Sequence, residues 1–380
     1  MIPAELLTPQ VHEPEVTEAE ERISVATQWQ LMWWRFRKHK PALVSAVVVI
    51  LLYLTAAGAE FLAYADPLAS DAQRGLISPQ PLHVSLGGLS VNGLTGQRDP
   101  QTFKRVYVED PTVNIPVSVF AQGFPYKLFG LIPMDRHLIG VSGGNRTAET
   151  TLFLLGTDQQ GRDQFSRLVF ATRISLLIGL ASVAISLVLG VLLGGLSGYI
   201  GGTVDTLIQR LIEILRSIPT IPLWMGLAAS VPKDWTIEQV FFAMTLIFSL
   251  FSWTELARVV RGRFLSLREE DFVMAAELVG CSRLRIIFRH LVPSFLSHII
   301  AATTLALPAI VIFETSLSFL GLGMRPPAIS WGVMLQQASN VQTLAISPWL
   351  LLPAIPVILA ILAFNFLGDG LRDAADPYGI

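Results

Sequence analysis

Asp271–Pro293, DFVMAAELVGCSRLRIIFRHLVP, is a polar, arginine-rich segment caught between two long hydrophobic runs. Met274, Ala275, Ala276, Leu278 and Val279 make a short apolar helical face, and Gly280 interrupts it. Glycine costs roughly 1 kcal/mol against alanine inside a helix, so Gly280 marks an end or a bend. Arg283, Arg285 and Arg289 follow among Leu284, Ile286, Ile287 and Phe288, a basic amphipathic run suited to a membrane surface. Pro293 opens the next apolar run, where a proline in a first helical turn is harmless. Two readings stand: a basic loop between membrane helices, or a docking helix whose paired alanines let another protein's groove come close.

The surrounding composition sets the class. The 380 residues are 52% hydrophobic and 15% charged, with a mean hydropathy of +0.55. A soluble domain carries about a quarter charged residues, so this balance is that of an integral membrane protein. A net charge of −2 gives no broad basic surface for nucleic acid. The single Cys281 excludes an intrachain disulfide and a multi-cysteine metal site, and no metal site is expected. With no Gly-Lys pair there is no phosphate-cradling loop, so an ATPase driving this chain is a separate polypeptide. No His-Glu-x-x-His is present, which argues against an enzyme of that kind.

Residues 1–40 begin acidic and end in Arg35, Arg37, Lys38 and Lys40, beside Trp29, Trp33 and Trp34, a cationic and aromatic anchor for a membrane interface. Residues 41–64 follow as a first transmembrane anchor, long enough at about 1.5 Å per residue to cross a core of about 30 Å. The Ala-Gly-Ala triplet at Ala57–Ala59 resembles a cleavage site, but the long lead favours a retained anchor. Residues 65–169 read as an extracytoplasmic insert of about a hundred residues and mixed structure, closed by an interfacial helix. Arg105–Val108 and Val113–Phe120 are strand-like, while His83 and His137 are isolated and read as structural or solvated. Asp158 is an expected N-cap, with Asp163 and Arg167 four apart on one helical face.

Five further spans are expected within 170–372, with a cytoplasmic loop at 261–293 and a cytoplasmic tail at 373–380. Gly190, Gly194 and Gly198 repeat at four-residue intervals in the second span, a pattern that lets helices pack closely in lipid. The third span carries Arg210, Glu213 and Arg216, then Pro219 and Pro222, which kink it and free carbonyls at membrane depth. Glu255 and Arg258 end the fourth span. The fifth holds Pro308 and Glu314, a carboxylate that needs a partner or water inside a membrane. A functional site and a hydrogen bond to a neighbouring helix weigh equally for Glu314. Asn365 lies in the sixth span. Arginines crowd the 261–293 loop, whereas 321–347 has only Arg325, so the positive-inside rule puts that loop and both termini in the cytoplasm.

Four blocks carry a family resemblance: Gly156–Leu177, Gly198–Pro222, Trp253–Pro293 and Ser316–Pro377, including LSFLGLG and AFNFLGDGLRDAADP. They resemble the C-type permease subunit of the oligopeptide/dipeptide family of ABC importers. The alanine pair and Gly280 resemble its cytoplasmic coupling loop, although Met274 stands where glutamate is usual and His290 where isoleucine is usual. The resemblance implies an all-α polytopic membrane protein of the bacterial inner membrane, with six transmembrane helices in the type I importer permease fold. It implies as partners a homologous B-type permease, two ATPase subunits that bind ATP and Mg2+, an extracytoplasmic substrate-binding protein and lipid. No cofactor is expected in this chain. Met274, Ala275, Ala276, Leu278, Gly280, Arg283, Arg285 and Pro293 are then the expected ATPase-coupling residues. Pro219, Pro222, Pro308, Glu314 and Asn365 are candidates for the translocation path. Peptide is the first cargo implied, with oligosaccharide and nickel as alternatives; an ion-coupled secondary transporter is the competing class.

Overall fold

The basic cluster and the apolar run behind it become two helices meeting at His39. A computed structural model describes residues 27–85, 88–98, 100, 105–141 and 151–375. The acidic start of the expected N-terminal tail and the end of the C-terminal tail lie outside them. Helix α1, Gln28–Lys38, opens with a reciprocal cap between Thr27 and Gln30. At the corner, His39 Nδ1 accepts from the Ala42 amide at 3.1 Å and starts α2, Lys40–Ala57. Gly58 ends it, and one further turn, α3 (Ala59–Leu62), leads into the insert.

The insert is a four-stranded antiparallel meander of β1 (Leu82–Ser85), β2 (Gly88–Arg98), β3 (Arg105–Leu128) and β4 (Ile132–Val141), in that order. Both strand-like segments read from the sequence fall inside β3. Its root is apolar: Tyr64, Val91, Ile115, Val117 and Leu152 form one buried cluster. The Tyr64 hydroxyl donates to Asp163 Oδ1 at 2.7 Å and accepts from the Leu154 amide at 3.0 Å. His137 is buried, its ring nitrogens 2.9 Å from the Glu60 carbonyl and 3.0 Å from that of Phe124, a structural position as its isolation suggested.

Helix α4 runs unbroken from Gln164 to Ile200, about 55 Å at the helical rise. The expected separate interfacial helix is therefore corrected: those residues are the first turns of α4. Nothing between Gln164 and Ile200 breaks the hydrogen-bond ladder, and Asp163, not Asp158, caps its start by accepting from the Ser166 amide at 2.7 Å. Asp158 instead closes its own turn, accepting from the amides of Gln160 and Arg162 at 2.8 and 3.0 Å.

The stretch expected as a kinked third span is two separate helices. Helix α5 (Gly202–Ser217) and helix α6 (Thr220–Ser230) meet at 84°. Pro219 forces its predecessor out of the helical region, and Ile218 is accordingly extended at φ −88°, ψ 130°. Helix α7 (Ile237–Leu267) returns, capped by Thr236 and Gln239. After α8 (Asp271–Leu278), Gly280 adopts φ +82°, a conformation open to glycine at little cost. A turn of helix, α9 (Arg283–Ile286), widens through Ile287–Leu291 and leads into α10 (Leu296–Phe319). Short helices α11 (Trp331–Gln336) and α12 (Val341–Ile346) precede α13 (Ala354–Ala375).

Among the described residues, five helical segments are long and apolar enough to cross a membrane, or six if the bent pair counts as one. Helices α4 and α7 pack along an extended seam. A Cβ on Gly194 would lie 2.5 Å from the Ala257 carbonyl oxygen, and one on Gly198 2.7 Å from that of Arg261. Gly190 faces the Leu256 side chain. One stripe of α4 thus meets α7 nearly backbone to backbone. The stripe extends through Ser182 and Ser186, which donate to the carbonyls of Thr245 and Ser249 at 3.3 Å.

Candidate functional site

Helix α8 sits at the arginine-rich end of the bundle, opposite the sheet. Val273 and Ala276 point inward and pack with Phe264, Ile286, Ile287 and Leu291. The outward face carries Phe272, Met274, Ala275, Leu278 and Val279; Leu278 is 89% exposed and Val279 83%. Arg283 and Arg285 flank it, both exposed. The Tyr199 hydroxyl at the end of α4 donates to Glu277, so the helix is tied to α4 as well as seated on α7. Close by, Arg261 donates twice to Asp205, both bonds 2.6 Å, and Ser197 donates to the same carboxylate at 2.5 Å. These contacts join α4, α5 and α7 beneath α8. The result is an exposed apolar knob on a base tied to the long helices.

A second feature lies where α5 breaks from α6. A cleft of about 270 Å³ is lined by Arg216, Thr220, Trp224, Phe251, Ser252 and Glu255 among others. Arg216 pairs across it with Glu255 of α7. Pro219 and Pro222 are exposed beside this break. Pro308 and Glu314, by contrast, are buried within the chain, and Asn365 is half-buried on α13. The five candidates for a path therefore do not share one surface, because the bundle closes around the proline of α10.

Glu314 is fully enclosed. Its two oxygens accept from Ser175 and Ser318, each at 2.9 Å. Those hydroxyls in turn accept from the amides of Trp331 and Met324, at 3.2 and 3.0 Å. The carboxyl thereby fastens the segment after α10 to α4. Asp158 does similar work nearer the sheet. Its Oδ2 accepts from Arg162 at 2.7 Å, Arg167 at 3.1 Å and Gln337 at 3.3 Å, while the Trp349 indole donates to the Thr157 carbonyl at 3.0 Å.

Residues 169–378 match the family described as binding-protein-dependent transport system inner membrane component. The chain belongs to this family. Residues 27–79 also match the N-terminal transmembrane domain of oligopeptide transport permease C. Similar proteins include the oligopeptide transport system permease protein OppC of Escherichia coli K12, 42% identical over 58% of this chain and 71% of its own length. The OppC proteins of Salmonella typhimurium and Haemophilus influenzae are 43% and 41% identical over 58% of this chain, and over 71% and 69% of their own lengths.

The permease thus has its membrane-spanning core where the family match lies, and α8, the helix break and the Glu314 cluster all fall inside it. Of the residues expected to couple, Met274, Ala275, Leu278, Gly280, Arg283 and Arg285 share the exposed end, and Ala276 does not. Ala276 instead packs into the apolar groove under α8. Pro293 is exposed in a separate turn, Val292–Ser294, that precedes α10. Sequence reasoning passed over Phe272 and Tyr199. Phe272 was legible as the first apolar residue of the α8 face, while the Tyr199–Glu277 bond spans 78 positions and left no local signal.

Proposed function

We propose that the permease imports peptides, powered by a pair of separate ATPase subunits that hold ATP and Mg2+ and grip α8. The observation that carries this is the exposed Leu278–Val279 knob on a base fixed to α4 and α7. A surface helix this apolar, beside Arg283 and Arg285, suits a partner groove better than water. Arginines of the 261–293 stretch assign that end to the cytoplasm, and both termini with it. The bent pair then counts as one span, giving six, and the sheet stands outside the inner membrane, where a substrate-binding protein can reach it. A homologous B-type permease completes the path against the exposed side of α5 and α6.

Alternating access follows from the parts. Closure of the ATPases displaces α8, and the Tyr199 and Arg261 ties hand that displacement to α4 and α7 as one body. The break at Ile218–Pro219 is where α5 and α6 can turn independently. Peptide is preferred over oligosaccharide or nickel because the OppC relatives are named for oligopeptides. The test is uptake of radiolabelled tri-alanine into proteoliposomes holding the complete transporter and its binding protein. Accumulation should require ATP and the binding protein. Accumulation driven by an ion gradient without ATP would overturn the reading in favour of a secondary transporter.

A further inference from the structure

The hairpin of β3 and β4 turns within Gly123–Met134, GFPYKLFGLIPM, a stretch whose one charged residue is Lys127. At its tip Phe129 is 64% exposed, Leu131 81% and Ile132 55%. Phe129 stands at φ +53° and Gly130 at φ +73°. Asparagine or glycine is the usual occupant of such positions, so phenylalanine is a costly choice for a turn that only has to reverse the chain. Three aromatic rings, Phe124, Tyr126 and Phe129, with one lysine make the composition of a membrane–water interface. A lysine there lays its stem on apolar surface and keeps its ammonium in water.

The packing of the hairpin gives its direction. Val117, paired with Val141, lies in one cluster with Tyr64 and Phe165. Nearer the tip, His137, paired with Ala121, reaches the Glu60 carbonyl at 2.9 Å, and the Phe120 ring lies 5.9 Å from that of Phe61. Moving towards the tip therefore retraces the chain from Tyr64 back towards α2, which is long and apolar enough to cross a membrane. Glu60 marks the outer end of that span: Arg173 donates to both its oxygens at 2.5 Å and to the Ala56 carbonyl at 2.7 Å. Helix α4 repeats the order, with Phe165 stacked on Tyr64 and Arg173 farther inward on Glu60. From His137 to Ile132 the strand runs on for about 16 Å. The tip thus passes the charged pair on the bilayer side. The opposite end of the sheet pairs Arg98 with Arg105, as an end in water requires.

We propose that the β3–β4 tip is a lipid anchor. Phe129, Leu131 and Ile132 enter the outer leaflet of the bilayer, and Lys127 meets the headgroup phosphates. The sheet, otherwise joined to the bundle through α3 and the start of α4, is thereby held at a fixed height above it. Contact with lipid follows from continuity with α2: the same interface that receives the end of the span receives the tip. The proposal goes beyond the transport reading and needs no particular cargo.

The experiment uses the complete transporter in nanodiscs of phosphatidylethanolamine and phosphatidylglycerol, its other subunits freed of reactive cysteine. In a Cys281→Ser background, Leu131→Cys carries one fluorophore. Phosphatidylcholine spin-labelled high on its acyl chains should quench it, and iodide in the water should not. The same fluorophore on Val106→Cys, at the far end of β3 where Val106 is 46% exposed, should show the reverse. Phe129→Asn/Ile132→Asp is then added beside the Leu131 label. Asparagine suits the positive φ, and both replaced side chains are exposed, so the melting temperature should match the parent's. The balance between inserted and withdrawn tip should move at least about tenfold towards water, the equivalent of burying one isoleucine. Lipid quenching then falls and iodide quenching appears. Iodide quenching at Leu131 with the natural tip would leave the hairpin in water, and quenching by neither agent would put it against another subunit or a binding protein. Either result overturns the anchor, as would lipid quenching that the double variant leaves unchanged.

Discussion

Leu278→Ala separates docking from folding. Leu278 is 89% exposed, so its side chain contributes almost nothing to the stability of this chain alone. Surface substitutions of that kind change stability by about ±0.5 kcal/mol or less. Burying a leucine fully in a partner groove is worth about 1.5–3 kcal/mol, and alanine keeps only a small part of that. The loss of about 1.5–2.5 kcal/mol converts to a drop in ATPase affinity of roughly tenfold to seventyfold. Titration of purified ATPase onto the stripped permease in detergent reads the affinity, and a melting curve of the same sample reads the fold. Ala276→Arg should do the reverse in kind: Ala276 is packed against the seat of α8, so a buried arginine lowers the melting temperature before any partner is added. An unchanged affinity for Leu278→Ala, or a lowered melting temperature, would refute the assignment of the outward face.

The α4–α7 seam predicts that Gly194→Leu lowers stability by about 1–3 kcal/mol or more, since even a Cβ there meets backbone 2.5 Å away, nearly 1 Å inside ordinary contact. Gly262→Ala on α7, where a Cβ meets nothing within 4 Å, should be neutral or raise the melting temperature, helix propensity favouring alanine by about 1 kcal/mol. Glu314→Leu leaves Ser175 and Ser318 without their acceptor and should cost about 2–4 kcal/mol, while Glu314→Gln, which keeps one, should cost less; thermal unfolding distinguishes them. Burial raises the Asp163 carboxyl from 3.8 to about 6. A carboxyl raised on folding holds its proton more tightly when folded, so stability is greatest below about pH 4, falls as pH rises to about 6, and is flat above. The amplitude is about 3 kcal/mol, and Asp163→Asn, which can still cap α4, should flatten that part of the pH profile.

What the sequence could and could not reveal follows from the range of each interaction. The glycine stripe was legible because Gly190, Gly194 and Gly198 share one helical face whatever they pack against. The break in the third span was legible as a position, through Pro219, but not as an 84° bend. Near it, Ile208 and Ile212 of α5 pack on Trp253 and Ala257 of α7, which are distant in the chain. Glu314 stood out as a carboxylate in an apolar helix, yet its partner Ser175 lies 139 residues away. The inward turn of Ala276 depends on Phe264, Ile286 and Leu291, which surround it only after the chain folds. Asp158 was expected as the cap and Asp163 as the neighbour of Arg167, but the buried Arg167 guanidinium pairs with Asp158 and Asp163 caps α4.

The central claim is that α8 faces the cell interior and receives the ATPase. Cys281, the only cysteine, lies half-buried one residue beyond Gly280, at the edge of the docking face. A membrane-impermeant maleimide should label it in inside-out vesicles stripped of ATPase, and rebinding the ATPase should protect it. In right-side-out vesicles it should stay unlabelled. Labelling from the outside, or no protection on rebinding, would contradict the account.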